Sequence, residues 1–433
     1  MLRYDFIVLL VLILLGADLA LPTTAAAAEK KQASTTRAVD SAATDIATNG
    51  TNAVKQTSAV LPIAPKPGDV LLALAAIEEL GATVEWVDTP DNRRLRAVTW
   101  KGGDEGLEHL AQIPELRWLD LSRTKITDDG LAIVGKLTQL EGLKLSQDRI
   151  TDRGLSHLSG LTSLEALSLL GTRITTEGLD HLAPLTRLRI LNLNWTPIGN
   201  EGLKKIASHR QLEELFLYDT KVTDEGLVHL MPLRHLHALK LTWNEITDAG
   251  LAKLLNLPLL EKLYLGYTQV TDAGMKYVKA LPQLRYLYLP ETAVTDAGVK
   301  ELAKVWSLVR LDLTNTAVTD EALSQLATLT RLEMLVLDGT PITSEGVRRL
   351  EPLKNLGYLG LAATQTDDTN MPVIARLTLL EVLNLDETGV TDVGAESLKQ
   401  LTKLHTLTVR GTKVTSEWLN GFSQTRRELN LAR

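Results

Sequence analysis

The sequence predicts an α/β solenoid, a stack of like units with parallel strands on one side and helices on the other. Three observations predict it. Leucine stands at residue 116 and returns every 24 residues through 404, in thirteen registers without a slip; a fixed period of that size belongs to a stacked array. If each unit is numbered from that leucine, position 4 is leucine in all thirteen registers, and position 6 in twelve, with Val409 in the last. A leucine at every second residue is the period of a short strand with one buried face. Positions 16, 19 and 22 are apolar almost throughout, as in Leu131, Val134 and Leu137, and a spacing of three marks one face of a helix.

Residues 6–15 form an apolar run, and four alanines at 25–28 precede Glu29. This reads as a secretory signal peptide over residues 1–28, with cleavage close to Ala28. The run is shorter than the ~20 residues a spanning helix needs, so a membrane enters only if the segment stays uncleaved. Residues 29–65 are rich in Ala, Thr, Ser and Gln. Such a composition buries too little surface to offset its ordering entropy, and it reads as a disordered tether. Residues 66–115 read as an N-terminal cap and a first degenerate repeat. There Val70, Leu74, Ile77 and Leu80 share one helical face, Gly81 stops the helix, and residues 83–87 alternate like a strand. Thirteen repeats follow over 116–427. Leu429 and Leu431 lie 22 residues after Leu407 and Val409, so residues 428–433 read as a closing strand.

Within each repeat the join is legible. Position 13 is Asp, Thr, Asn or Ser in every register, from Asp128 to Ser416, which are the residue types that cap a first helical turn. Position 9 is Thr except for Asp148 and Asn244; a hydroxyl there predicts a ladder of side-chain bonds to the turning backbone. Position 15 is Gly in ten registers. Glycine inside a helix costs ~1 kcal/mol against alanine, so its recurrence predicts a close approach of backbone. The eleventh repeat, 356–379, departs most: Gly357, Gly360, Ala362 and Ala363 lie on or near the strand, Thr366 replaces the apolar position 11, and Asn370 replaces the glycine.

The pattern L-x-x-L-x-L-x-x-T-x-[IV]-T-D-x-G-L, carried by Leu284, Leu287, Leu289, Thr292, Val294, Thr295, Asp296, Gly298 and Val299, resembles leucine-rich repeats over roughly residues 92–433. Its T-D-x-G-L segment is similar to the cysteine-containing subclass, which includes F-box adaptor repeats, and to secreted bacterial leucine-rich-repeat proteins. The resemblance implies a horseshoe with a parallel concave sheet and convex helices, and a protein-binding scaffold. It implies no single partner.

Composition narrows the function. Lys plus Arg number 46 against 53 acidic residues, and a mildly acidic solenoid lacks the basic face that nucleic acid requires. The chain has no cysteine, hence no disulfide, thiol chemistry or lipid-modified N-terminus. No nucleophile triad, phosphate loop or metal-ligand spacing is present, so no enzyme, cofactor or metal is expected. His109, His157, His181 and His229 share position 18 and read as a solvated convex surface. His209 replaces the leucine of position 22 and reads as a local packing variant.

Aromatic residues are scarce at 4%, so their placement is informative. Positions 3, 5, 7 and 8 are the expected exposed concave positions. In the repeats beginning at residues 188 to 284 they supply Trp195, Phe216, Tyr218, Trp243, Tyr264, Tyr267, Tyr286 and Tyr288. Five of the eight tyrosines fall in this window. Lys240, Lys262 and Arg310 border it on one side, and Glu214, Asp219 and Asp312 on others. Aromatic residues with arginine are the material of interface hot spots, so the expected function is a non-catalytic, secreted or periplasmic scaffold that binds a protein partner. Carbohydrate stacking on the rings is a second occupant. The alternatives are a surface-associated structural solenoid without a specific ligand and, were the N-terminus not a signal peptide, an intracellular F-box-like adaptor. Residues 29–91 supply no F-box for the latter.

Overall fold

Among the described residues sixteen strands pair in strict sequence order. The computed structural model describes residues 67–89, 92–424 and 430–432; the signal-peptide and tether readings lie outside the described residues. The first two strands, Thr83–Thr89 and Asn92–Thr99, form an antiparallel hairpin with an irregularity between Glu85 and Trp86. Every later pairing is parallel. Thirteen strands of three residues each span positions 3–5, from Trp118–Asp120 to Thr406–Thr408. The position-4 leucines sit side by side, as in Leu119↔Leu143 and Leu287↔Leu311. Residues 68–433 are one compact unit.

The repeat leucines turn to the other side of the sheet and bury completely. Positions 1, 4, 6, 11, 16, 19 and 22 supply one continuous core from Leu116 to Val414. Each buried leucine contributes about 1.5–3 kcal/mol, but only because the next repeat covers it. The convex elements are short. Some are α-helical, such as Asp128–Val134 and Asp296–Leu302, and others are 3-10, such as Glu177–Leu182 and Gly226–Leu230.

The helix cap lies one residue before the expected one. Thr127, Thr151, Thr247, Thr271 and Thr295, all at position 12, are extended, and each accepts the backbone N–H two residues on. Position 13 is instead the first helical residue, and its carboxylate reaches forward to the next repeat. Asp128 Oδ1 accepts the Thr151 N–H at 2.9 Å and Oδ2 the Thr151 hydroxyl at 2.6 Å. The same pair of bonds recurs at Asp224–Thr247, Asp272–Thr295 and Asp320–Thr343. This ladder also accounts for the position-15 glycines. A Cβ on Gly250 would lie 2.2 Å from Asp224 Oδ1, and one on Gly346 would lie 2.1 Å from Asp320 Oδ1. The close approach is by a carboxylate of the preceding repeat, not by backbone.

The position-9 ladder forms as expected. Thr172, Thr268, Thr292 and Thr316 each donate their hydroxyl to the carbonyl three residues back. His209 does more than pack. It is 2% exposed, with Nε2 at 2.9 Å from the Leu182 carbonyl of the preceding repeat.

At the N-terminal end, the helix Pro67–Glu79 buries Ala73, Leu74 and Ile77 in the core, and Gly81 takes a left-handed φ of 86°. At the other end, the helix Ser416–Gln424 buries Trp418, Leu419 and Phe422. The Trp418 and Phe422 rings stack at 4.7 Å, and the Trp418 indole donates to Glu396 at 2.7 Å. The final strand, Asn430–Ala432, pairs in register with Thr406–Thr408.

Candidate functional site

The strands Lys262–Tyr264, Tyr286–Tyr288 and Arg310–Asp312 are adjacent, and their register places Lys262, Tyr286 and Arg310 in one row and Tyr264, Tyr288 and Asp312 in the next. Position 4 is committed to the core, so positions 3 and 5 project together onto the concave face. The Tyr264 and Tyr288 rings stack with centroids 4.4 Å apart and planes 1° apart. Burial pushes both phenols up, and for Tyr264 the neighbouring Tyr288 and the Glu214 carboxylate add to it. The Arg310 guanidinium at the Tyr288 hydroxyl works against burial there.

Tyr286 stands among cations. Arg310, Arg285 and Lys262 lie 5.4, 5.6 and 5.9 Å from its ring centroid, within the range in which the ring quadrupole attracts them. Lys262 also reaches Glu214 at 3.7 Å, and burial holds the Glu214 carboxyl above its usual range against that attraction.

A second group follows the C-terminal ends of the strands. Trp195 meets Tyr218 edge to face at 5.6 Å, Trp243 stacks on Tyr267 at 4.7 Å, and Lys240 lies 5.4 Å from the Tyr218 ring. Trp195 and Trp243 are each 38% exposed. Both indoles and Tyr267 sit at position 8, with φ of 59°, 60° and 56°. Position 8 is left-handed in every repeat, from Arg123 to Gly411. The cause is the ladder: Trp195 N–H donates to the Tyr218 carbonyl, Trp243 N–H to Gly266 and Tyr267 N–H to Pro290. Left-handed backbone costs a non-glycine residue roughly 1–2 kcal/mol, yet only Gly171, Gly339 and Gly411 relieve it. Those glycines, with Asn315, were the sequence signal for this turn, and the periodicity reading passed over it.

Phe216 corrects the expectation. It is 4% exposed, and Ile190, Asn192, Glu214 and Ala238 around it are also buried. Phe216 lies between Asn192 and Lys240 in register. On a concave face neighbouring rows converge, and here they cover the ring. Positions 3 and 5 are therefore not uniformly exposed, and Phe216 underlies the patch. The other nine candidates (Trp195, Tyr218, Trp243, Lys262, Tyr264, Tyr267, Tyr286, Tyr288 and Arg310) are exposed or half-buried.

A polar group continues the face from Asp312, named at its border from the sequence, to Asp338 and Tyr358, which the sequence reading did not include. Asp312 is buried, accepts from the Thr314 N–H and hydroxyl, and is raised by desolvation. Burial lifts Asp338 to about 6, although it accepts from the Ala362 N–H at 2.8 Å and Asn384 Nδ2 at 3.0 Å. Tyr358 beside them is pushed up to about 12, by burial first and then by these carboxylates. Among the described residues no group of His, Asp or Glu is placed to hold a metal ion. Nor is any helix there long and apolar enough to cross a membrane.

Fold and repeat chemistry together define a protein class whose curved sheet is its working surface. Residues 248–432 match the Leucine-rich repeat region family, and residues 115–132, 185–207 and 233–255 match the Leucine Rich repeat family. The chain is a leucine-rich-repeat protein, of a class that in general serves as a protein-interaction scaffold. No match is found among curated protein sequences. Among solved structures, the chain is similar to an internalin of Listeria monocytogenes, with 23% identity, a TM-score of 0.46 and coverage of 78% of this chain and 86% of that one. It is also similar to a leucine-rich-repeat protein of Leptospira interrogans, with 21% identity, a TM-score of 0.47 and coverage of 75% and 80%. Neither likeness bears on ligand or partner.

Proposed function

We propose that the chain is an exported, non-catalytic scaffold whose aromatic concave face binds a protein partner. The observation that carries this reading is the exposed aromatic edge. Trp195 and Trp243 stand 38% exposed at left-handed positions, where glycine is the cheaper residue. Large exposed rings beside cations are hot-spot material, and the Arg310 guanidinium at the rim adds a charge-assisted donor. A standard interface covers about 800 Å² per partner, and the strands from Ile190–Asn192 to Arg310–Asp312 span five strand spacings of ~4.8 Å.

The stacked, desolvated pair Tyr264–Tyr288 favours a structural role for those two rings, so the anchors are assigned to Trp195, Trp243, Tyr267 and Tyr286. The test isolates partners with the full chain, then compares affinity and melting temperature for Trp243→Ser with Tyr286→Ser. Loss of a central anchor costs about 2 kcal/mol or more, roughly 30-fold in affinity. Wild-type binding by a folded double variant would place the site elsewhere. A collapsed melting temperature would make the rings structural, and capture of glycans alone would make the ligand a carbohydrate. Export is tested by the mature N-terminus, expected close to Ala28; an intact Met1 on a cytosolic chain would reopen the adaptor reading.

A further inference from the structure

We propose that Asp148 is a buried proton-binding site that makes the seam between the first two repeats pH-sensitive: with its proton the seam is closed, and without it the seam loosens. The argument begins with what position 9 supplies elsewhere. Thr172 and Thr268 there donate a hydroxyl to the Leu169 and Leu265 carbonyls at 2.7 and 2.6 Å. Asn244, the other exception, is donor and acceptor together. Its Oδ1 accepts from the Thr220 N–H and hydroxyl at 3.2 Å each, while its Nδ2 donates to the Leu217 and Leu241 carbonyls. The slot therefore requires a donor.

Asp148 occupies the same slot four repeats earlier. It is 3% exposed. Its Oδ1 accepts from the Thr124 N–H at 2.8 Å and the Thr124 hydroxyl at 3.2 Å, as Asn244 Oδ1 does with Thr220. Its Oδ2 is buried without a partner. By repeat equivalence Oδ2 stands where Asn244 Nδ2 stands, before the carbonyls of Leu121 and Leu145. A carboxylate oxygen there meets only acceptors, whereas a protonated one supplies the hydrogen bond that Thr and Asn supply in the other repeats.

The charged group facing it from the preceding strand is Asp120, of the same sign and paired with Lys144 at 3.6 Å. Thr124, the closest polar neighbour, is not titratable in this range. Burial lifts the Asp148 carboxyl from 3.8 to about 7; the Thr124 bonds oppose this, and Asp120 adds to it. A carboxyl raised on folding binds its proton in the native state and releases it on opening. The stability of the seam therefore falls as pH rises from about 4 to about 7, and is level above that.

The experiment is hydrogen exchange of the amides in residues 116–150, corrected for intrinsic rate, between pH 5 and pH 8.5, in the full chain and in Asp148→Asn. The wild type is expected to lose protection by up to about tenfold per pH unit below pH 7. Asp148→Asn retains the shape and the donor, as Asn244 shows, and is expected to hold low-pH protection throughout. The carboxyl carbon shift of Asp148 is expected to titrate near neutrality. Equal pH dependence in the two chains, or titration of the Asp148 carboxyl below pH 5, overturns the proposal. Asp148→Thr, the residue common at this position, repeats the test should the asparagine chain fold poorly. Of the other raised carboxyls, Glu214, Asp312 and Asp338 lie in later repeats, where a local readout separates them; Glu141, raised by burial and by Glu165, lies within the window but is common to both chains, so the difference between wild type and Asp148→Asn isolates Asp148.

Discussion

Removing one carboxylate from the inter-repeat ladder should open a single seam of the solenoid. Asp272 is suited to the test. Its Oδ1 accepts from the Thr295 N–H at 2.7 Å and the Gly298 N–H at 2.8 Å, and its Oδ2 accepts the Thr295 hydroxyl at 2.7 Å. Asp272→Ala thus strips the acceptor from two backbone donors and a hydroxyl of the next repeat. Hydrogen bonds to a charged group contribute about 1.5–3 kcal/mol each where desolvated and nearer 1 where water competes. Asp272 and Thr295 are half-buried and Gly298 is buried, so two bonds near 1 kcal/mol and one of about 1.5–3 kcal/mol sum to about 3.5–5 kcal/mol. Asp272→Asn is the control. Asn200 already fills this position three repeats earlier, accepting the Thr223 N–H and donating to its hydroxyl, both at 2.9 Å, so asparagine should cost under about 1 kcal/mol. Urea unfolding gives the stabilities, and a cycle with Thr295→Val isolates the side-chain coupling. Exchange at the Thr295 and Gly298 amides should rise in Asp272→Ala while amides four repeats away stay protected. An alanine variant within about 0.5 kcal/mol of wild type, or no more destabilised than the asparagine variant, would refute the ladder as a source of stability.

The eleventh repeat should exchange faster than its neighbours, because its glycines and alanines bury less apolar surface; equal protection across residues 332–403 would contradict this. Its polar substitutions are compensated, since the Thr366 hydroxyl meets Thr364 at 2.7 Å and Asn370 closes a capping box with Asp367. Thr364 already donates to Leu361, so Thr366→Val strands no donor and should be neutral or stabilising by up to about 1 kcal/mol in urea unfolding. The Asn194-Trp195-Thr196 sequon should carry no glycan on the folded chain, because Asn194 is 4% exposed and accepts the Tyr218 N–H at 2.7 Å. Intact mass and peptide mapping from a glycosylating host check this, and an occupied Asn194 on a normally melting chain would contradict that packing.

What thirteen copies repeat, the sequence by itself determined. The leucines of positions 1, 4 and 6, the helical spacing of 16, 19 and 22, and the hydroxyls of position 9 each recur often enough to reveal period, strand, helix and ladder before any coordinate. The glycines of position 15 likewise announced a close approach. Only the tertiary structure decided what made it. Asp224 touches Gly250 across 26 residues of chain, and nothing local in Asp224 distinguishes a cap from a bridge to the next repeat. The same holds for the site. Phe216 and Tyr264 occupy the same position of their repeats, yet one is covered and the other half-open, because each ring's exposure is set by the residues 24 positions before and after it on a curved sheet. Trp195 and Trp243 are held in a left-handed turn that their own residue type disfavours, because the backbone bond to the next repeat outweighs the local cost. Periodicity is a property of the chain and can be read along it. Exposure, strain and the facing of one side chain by another arise between neighbouring turns of the solenoid, where the contacts are made by residues far apart in sequence and the balance is settled by packing.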